Sequence, residues 1–186
     1  VEAQLQARGY TLGHYPQSWE LSTIGGWIAT RSSGQQSLRY GRIEQMFAGG
    51  TLETMLGTMD IPTIPASSAG PDMREVTMGM EGRMGIYTEV KVRVVRVAQE
   101  EKFMVCFMPS WEAGKAVARE VAQQKIPMSM MRVSNAAETR AHANLGTTLK
   151  QFKLLDGYLR LRGLDDNRCM LTFGVTGSKF QNKTSM

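Results

Sequence analysis

Three short segments rich in hydroxyls and glycines are the parts of this sequence best suited to chemistry with a ligand. Ser22-Thr23-Ile24-Gly25-Gly26 sets two hydroxyls ahead of two positions without a Cβ. A ligand can approach such a backbone closely, and its amides can point at phosphate oxygens. Thr30-Arg31-Ser32-Ser33-Gly34 adds a cation and three further hydroxyls. Gly79-Met80-Glu81-Gly82-Arg83-Met84-Gly85 places three glycines three residues apart around one acid. Taken locally, these are the residues of an anion-binding loop for a phosphate-bearing ligand. Tight turns in a β domain would use the same ones.

Other chemistries find less support. His14 and His142 are the only histidines, and no spacing around them recommends a zinc site or a Ser-His-Asp triad. Cys106 and Cys169 are too few for a disulfide framework and are not spaced as a metal knuckle, so no metal is expected. Neither a G-x-G-x-x-G turn nor a phosphate loop ending in Lys-Ser/Thr occurs. The fourteen methionines read as adaptable core filler.

These segments need a folded frame to hold them, and the composition supports one. The 186 residues are 42% apolar and 21% charged, enough to bury a core. No apolar run approaches the roughly 20 residues of a membrane span. The opening Val1-Glu2-Ala3-Gln4 is polar and acidic, unlike a signal peptide. The expectation is therefore a cytoplasmic protein without integral membrane association. The net charge of +5 arises entirely in the second part: 1–100 hold nine basic and ten acidic residues, 101–186 thirteen and seven. No basic block or aromatic-basic stripe accompanies it, so no nucleic-acid partner is expected.

Along the chain, 9–42 lack periodicity and read as a long ordered loop. Ile43 to Thr54 reads as a strand, followed by a turn at Leu56-Gly57-Thr58. Pro71-Asp72 fits a helix start. Val90, Val92 and Val94 alternate with Glu89, Lys91 and Arg93, the signature of a strand over 86–97 with one buried face. Lys102 to Met108 predicts a strand, Ser110 caps a helix through about Gln124, and Met128 to Val133 predicts another strand. This βαβ-type unit differs from what precedes it and places a domain boundary near residue 99. A second amphipathic helix is expected from Leu149 to Arg162. Its Leu154, Leu155, Tyr158, Leu159 and Leu161 would pack inward, and Lys150, Lys153, Arg160 and Arg162 would face solvent. Cys169 to Val175 predicts a last strand, and Gln181 to Met186 a polar tail.

The order of these motifs carries a resemblance. Gly13-His14-Tyr15-Pro16-Gln17-Ser18-Trp19-Glu20-Leu21-Ser22-Thr23-Ile24-Gly25-Gly26-Trp27, Thr30 to Gly34 and Tyr40-Gly41-Arg42-Ile43-Glu44 come first. Ser68-Ala69-Gly70-Pro71-Asp72 and Met78 to Glu89 follow in sequence. Together they resemble the second half of the FAD-binding domain of the vanillyl-alcohol oxidase (PCMH-type) superfamily. The nearest branch is that of alkyldihydroxyacetonephosphate synthase and its bacterial FAD-binding relatives.

The resemblance implies an α+β fold: the second subdomain of a PCMH-type FAD-binding domain over 1–98, then the start of a ferredoxin-like substrate (cap) domain over 99–186. It implies non-covalent FAD, touched by Gln17, Ser18, Trp19, Glu20, Leu21, Ser22, Thr23, Gly25 and Gly26. Thr30, Arg31, Ser32 and Ser33, and Glu81, Gly82, Arg83, Met84, Gly85, Ile86 and Tyr87, would complete the cofactor contacts. Arg132 matches an active-site arginine of the synthase branch, where a guanidinium could clamp a substrate phosphate or carboxylate. Read locally, it is a surface arginine at a strand end.

Departures are Met80 where relatives carry Ser, Arg83 where they carry Thr, and Tyr87 where an aliphatic residue is common. The family's Gly-rich phosphate loop, and its downstream tyrosine and histidine cluster, are not found in this sequence. The expectation is thus a fragment that holds FAD weakly or not at all. Its longer parent would act on a small-molecule or lipid-like substrate, with a homodimer as its assembly. The implied reaction is exchange of an acyl for an alkyl chain on glycerone phosphate. The alternatives are oxidation of a 2-hydroxy acid and, from another class, a flavin-free interaction or structural module.

Overall fold

Periodicity and capping decide where most strands and helices of this chain fall. The computed structural model describes residues 1–146 and 149–177, and the chain divides into two compact units, Val1–Ala98 and Gln99–Met186.

The first unit runs α1 (Glu2–Gln6), β1 (Tyr10–Thr11), α2 (Ile24–Ala29), α3 (Ser37–Tyr40), α4 (Ile43–Met46), β2 (Phe47–Thr54), β3 (Gly57–Ile61), α5 (Met73–Thr77), β4 (Ile86–Val92) and β5 (Val95–Arg96). Strand β2 is the centre of an antiparallel sheet ordered β3-β2-β4, while β1 pairs with β5. The central position depends on Gly49-Gly50. A Cβ on Gly50 would lie 2.2 Å from the Glu89 carbonyl oxygen, and one on Gly49 2.5 Å from that of Ile61. Bare backbone lets both neighbouring strands close on β2. Beneath the sheet lies the core, built around Trp27, Ile28, Ile43, Phe47, Leu52 and Ile61. Met46, Met78 and Met80 fill its gaps, whereas Met55 at the β2–β3 turn is fully exposed.

Three expectations change here. The stretch 43–54 is a helical turn before it is a strand: Ile43 and Met46, three apart, are both buried, and the Gln45 side chain accepts from the Arg42 amide at 2.9 Å. The loop 9–42 contains α2 and α3. The valine alternation ends at Val92, because the Arg93 amide donates to the Met46 carbonyl (2.8 Å) and turns the chain, leaving Val94 exposed.

The second unit runs β6 (Glu100–Met108), α6 (Trp111–Gln123), β7 (Met130–Ser134), α7 (Ala136–Gly146), α8 (Leu149–Leu161) and β8 (Cys169–Gly177). Strand β8 lies between β6 and β7 and is antiparallel to both, so β6-α6-β7 is a split βαβ unit of ferredoxin-like kind. Ser110 caps α6, its hydroxyl accepting from the Ala113 amide at 3.2 Å. Gly114 lets α6 sit close on the sheet; a Cβ there would lie 2.8 Å from Val133 Cγ1.

Helix α7 was not expected from periodicity. Ala136-Ala137-Glu138-Thr139-Arg140-Ala141 has good helix propensity but scarcely an apolar stripe. Among the described side chains of α8, Leu159 is buried and Leu155 half-buried, while Leu154, Tyr158 and Leu161 are exposed. Charge also ties α8 to the chain beyond it. The buried Arg168 guanidinium contacts Asp156 and donates to the Asp165 carbonyl (3.1 Å), and Arg160 Nε donates to Asp156 at 2.9 Å. The expected polar tail at 181–186 lies outside the described residues. Among the described residues no helix is long and apolar enough to cross a membrane.

Candidate cofactor site

In the first unit, two of the glycine segments meet. Thr23 caps α2, its hydroxyl accepting from the Gly26 amide at 3.1 Å. At the other end of that helix, the Gly79 amide donates to Ile28 O (3.1 Å) and the Glu81 amide to Ala29 O (2.8 Å). Helix and turn are thereby zipped together, with Glu81 and Gly82 both at positive φ (52° and 79°). Between them lies a cavity of about 190 Å³. Thr23, Gly25 and Gly26 line it from the first segment, and Gly82, Gly85, Ile86 and Tyr87 from the second. Ala29 and Met80 close it; Ala29 carried no sequence signal, since an alanine has nothing but its size to offer.

The remaining predicted contacts are turned to other tasks. Ser22 Oγ donates to the Ser18 carbonyl and accepts from Trp27 Nε1, both at 2.7 Å. Thr30 Oγ1 donates to Gly26 O at 2.9 Å. Ser32 Oγ lies 2.6 Å from Nε2 of the buried His14, whose ring packs 5.0 Å from Trp27. Burial holds the His14 pKa below its ordinary value, against the opposing charge of Glu44. Ser33 Oγ meets Ser37 Oγ at 3.2 Å. Arg31 donates from Nε to Met78 O (3.2 Å) and from Nη2 to Glu75 O (2.9 Å), which fastens the end of α2 to α5.

Gln17, Ser18, Trp19, Glu20 and Leu21 form two successive turns ahead of α2 and are exposed. Glu81, Arg83 and Met84 are also exposed and do not line the cavity. Tyr87 sets its ring edge-on to Phe47 at 5.5 Å with its hydroxyl beside Thr77, and burial raises its pKa.

Arg132 lies in the second unit, on β7. The register pairs it with Thr172 of β8, which pairs with Val105 of β6; Met130, Gly174 and Phe103 form the next row. Side chains two apart on a strand share a face, so Arg132 stands on the same face as Phe103 and Val105, which are 50% and 53% exposed. The opposite face takes α6 against Val133 and Cys169. The guanidinium contacts the Glu138 carboxylate, which it holds below the usual carboxylate range. His142 Nε2 lies 3.9 Å from the same carboxylate oxygen. A cation on an apolar face suits an anionic head joined to an apolar body.

Comparison with known proteins supplies the family. Residues 1–60 match the family described as FAD binding domain, and residues 97–185 that described as FAD linked oxidases, C-terminal domain. The chain thus carries parts of an FAD binding domain and of an FAD-linked oxidase C-terminal domain, and its cofactor is FAD.

Within that class it is similar to alkyldihydroxyacetonephosphate synthase of Caenorhabditis elegans: 34% identical over 134 residues, 72% of this chain and 22% of the relative. It is 37% identical over 146 residues to the uncharacterized FAD-linked oxidoreductase YgcU of Escherichia coli (strain K12), covering 76% of this chain and 30% of that one. A solved structure of alkyldihydroxyacetonephosphate synthase superposes with a TM-score of 0.85 at 30% identity, over 99% of this chain and 34% of that one. The chain thus spans less than a third of these curated relatives' length.

The residues present fit FAD. An added Cβ on Gly82 would meet no protein atom within 4 Å, so glycine leaves open room there. The Gly25 amide lies in the first turn of α2, where no intrahelical acceptor exists. Met80, Ile86 and the Cβ of Tyr87 offer apolar surface for a flat ring system, and Thr23 a hydroxyl. At about 190 Å³ the cavity is smaller than the roughly 300–1,000 Å³ of sites that enclose a drug-sized ligand. That size suits one wall of a flavin site rather than a whole one.

Proposed function

We propose that this chain belongs to an FAD-dependent enzyme that exchanges an acyl for an alkyl chain on glycerone phosphate, as in ether-lipid synthesis. The observation that carries the reading is the cavity shared by two glycine segments more than fifty residues apart in sequence. When bound, FAD supplies the electrophilic and redox chemistry of its isoalloxazine ring. The chain's own residues hold and orient. Backbone at Gly25, Gly26 and Gly82 would permit close approach, Thr23 would offer its hydroxyl, and Tyr87 and Met80 would supply apolar surface that excludes water. Gln17 to Ser22, Thr30 to Ser33 and Glu81 to Met84 support this wall through the turns and hydrogen bonds described above.

Arg132 grips the phosphate of the substrate, and the apolar row of Phe103 and Val105 beside it suits the lipid-like remainder. The synthase likeness favours this reaction over hydride removal from a 2-hydroxy acid.

The test is a purified longer protein that contains this segment. It should be yellow with stoichiometric flavin, and should convert acyl-glycerone phosphate and a long-chain alcohol to the alkyl product and free fatty acid. Turnover of lactate or glycolate with a dye acceptor, and none of the exchange, would replace the reading with the 2-hydroxy-acid oxidation. A colourless, flavin-indifferent protein would end both. The isolated 186-residue chain, with one wall of the site, is expected to retain little FAD; a stoichiometric yellow complex would contradict that.

A further inference from the structure

We propose that Glu138 is the positioning residue for Arg132, its carboxylate fixing the guanidinium on the apolar sheet face so that the free arm of the fork can grip an anion. The inference rests on the reading of Arg132 as the clamp for the substrate's anionic head.

The geometry begins with what holds Glu138. Its backbone amide donates to Asn135 Oδ1 at 2.9 Å, the cap of α7. The next residue, Thr139, is buried; its amide donates to Asn135 O (2.8 Å) and its hydroxyl to Ser134 O (3.2 Å), while the same hydroxyl accepts from the Met170 amide (2.9 Å). The first turn of α7 is therefore bolted to the last residue of β7 and to β8. From that base the Glu138 carboxylate reaches back to Arg132 on β7.

Arg132 needs such a hold. Its side chain is 44% exposed, and a long cation on an open face loses its orientation to rotamer freedom. The contact runs from Nη2 to a single carboxylate oxygen, so it fixes the fork without occupying both arms. An ion pair this exposed adds little to stability. Its consequence is orientation. The carboxylate also carries a negative charge beside the proposed anion, which opposes binding even as it orders the cation.

Those two effects separate in a pair of variants. Glu138→Gln keeps an acceptor at the same reach without the charge, and Glu138→Ala removes both. The order of the Arg132 Nε–H group is read by nitrogen relaxation in the 186-residue chain, assigned by its loss in Arg132→Ala, and inorganic phosphate is the titrated probe. Arg132 should be ordered in the wild type and in Glu138→Gln and mobile in Glu138→Ala. Phosphate should bind Glu138→Gln roughly five-fold more tightly than Glu138→Ala. Equal order in Glu138→Ala and the wild type overturns the proposal whatever phosphate does, and so does phosphate binding of equal strength in the two variants. An Arg132 that loses order in Glu138→Ala, in a chain that shows no phosphate response, supports the positioning contact and removes the anion reading on which its purpose rests.

Discussion

In Val1–Ala98 several polar side chains around α2 are spent on bonds within the unit. Ser22, Thr30 and Ser32 each bond another part of the same unit, and Arg31 fastens α2 to α5. In Gln99–Met186 the charges pair at the surface, as Arg132 with Glu138 and Arg160 with Asp156, over a regular split βαβ sheet. On the proposed reading, the first unit leaves its ligand chemistry to backbone bared by glycine, and the second to a side chain aimed by strand register. Short irregular elements consume their hydroxyls in holding shape, whereas a regular sheet needs none for that purpose and can present a charged group on an open face.

The most damaging change for this contrast is Gly50→Val. A side chain there drives into the Glu89 carbonyl, and the first unit should lose about 3 kcal/mol or more. Hydrogen exchange read by mass spectrometry should show protection lost over 43–92 and kept over 100–177. Loss in both units together would mean that their stabilities are not separable.

Gly82→Leu meets no protein atom at its Cβ but must hold a left-handed backbone at φ 79°, so it should cost the first unit about 1–2 kcal/mol while it places bulk at the cavity lining. Flavin affinity of the longer protein should fall at least about tenfold, ~1.4 kcal/mol. Ser110→Ala in the second unit should leave flavin content unchanged, so a fall in both would deny that the cofactor wall lies in the first unit alone.

The two hydroxyl caps sharpen the comparison at smaller scale. Thr23→Ala and Ser110→Ala should each cost about 1 kcal/mol in denaturant unfolding. Only the first should also weaken flavin binding.

Acid should distinguish the units most gently. His14 has its folded-state pKa lowered by burial, so protons favour the unfolded chain. Stability of the first unit should begin to fall as pH drops below about 6.5 and stop falling beneath the folded-state value. In the second unit, Asp156 is lowered by hydrogen bonds from Arg160 and Arg168, and Glu138 by Arg132. That contribution is complete above about pH 4 and is lost only below it, as the pH falls through the folded-state values. Unit-resolved exchange at several pH values checks the order of onset, and His14→Gln should abolish the earlier one.

Much of this was legible in residue order. The caps at Asp72 and Ser110 are local, since a carboxylate or hydroxyl bonds an amide two or three residues on. The strands β4 and β6 follow from alternation or apolar runs. Less legible was any element whose reason lies elsewhere in the chain. Helix α4 begins a predicted strand because Ile43 and Met46 meet a core assembled from distant segments. Helix α7 lacks an apolar stripe and is held by Thr139 against β8. Helix α8 is held by Arg168, a residue beyond its own end.

By itself the sequence determined glycines, hydroxyls and turns suited to a phosphate-bearing ligand or to tight turns, because backbone conformation and capping depend on near neighbours, and their order resembles that of a flavin-binding family. Only the tertiary structure decided which of them line a cavity. Thr23, Gly25 and Gly26 face Gly82 and Tyr87 because the amides of Gly79 and Glu81 bond the end of α2. The hydroxyls of Ser22, Thr30 and Ser32 turn away because each found an acceptor or donor inside the fold. A polar group bonds whatever the packed chain brings within reach, and residue order alone does not say what that will be.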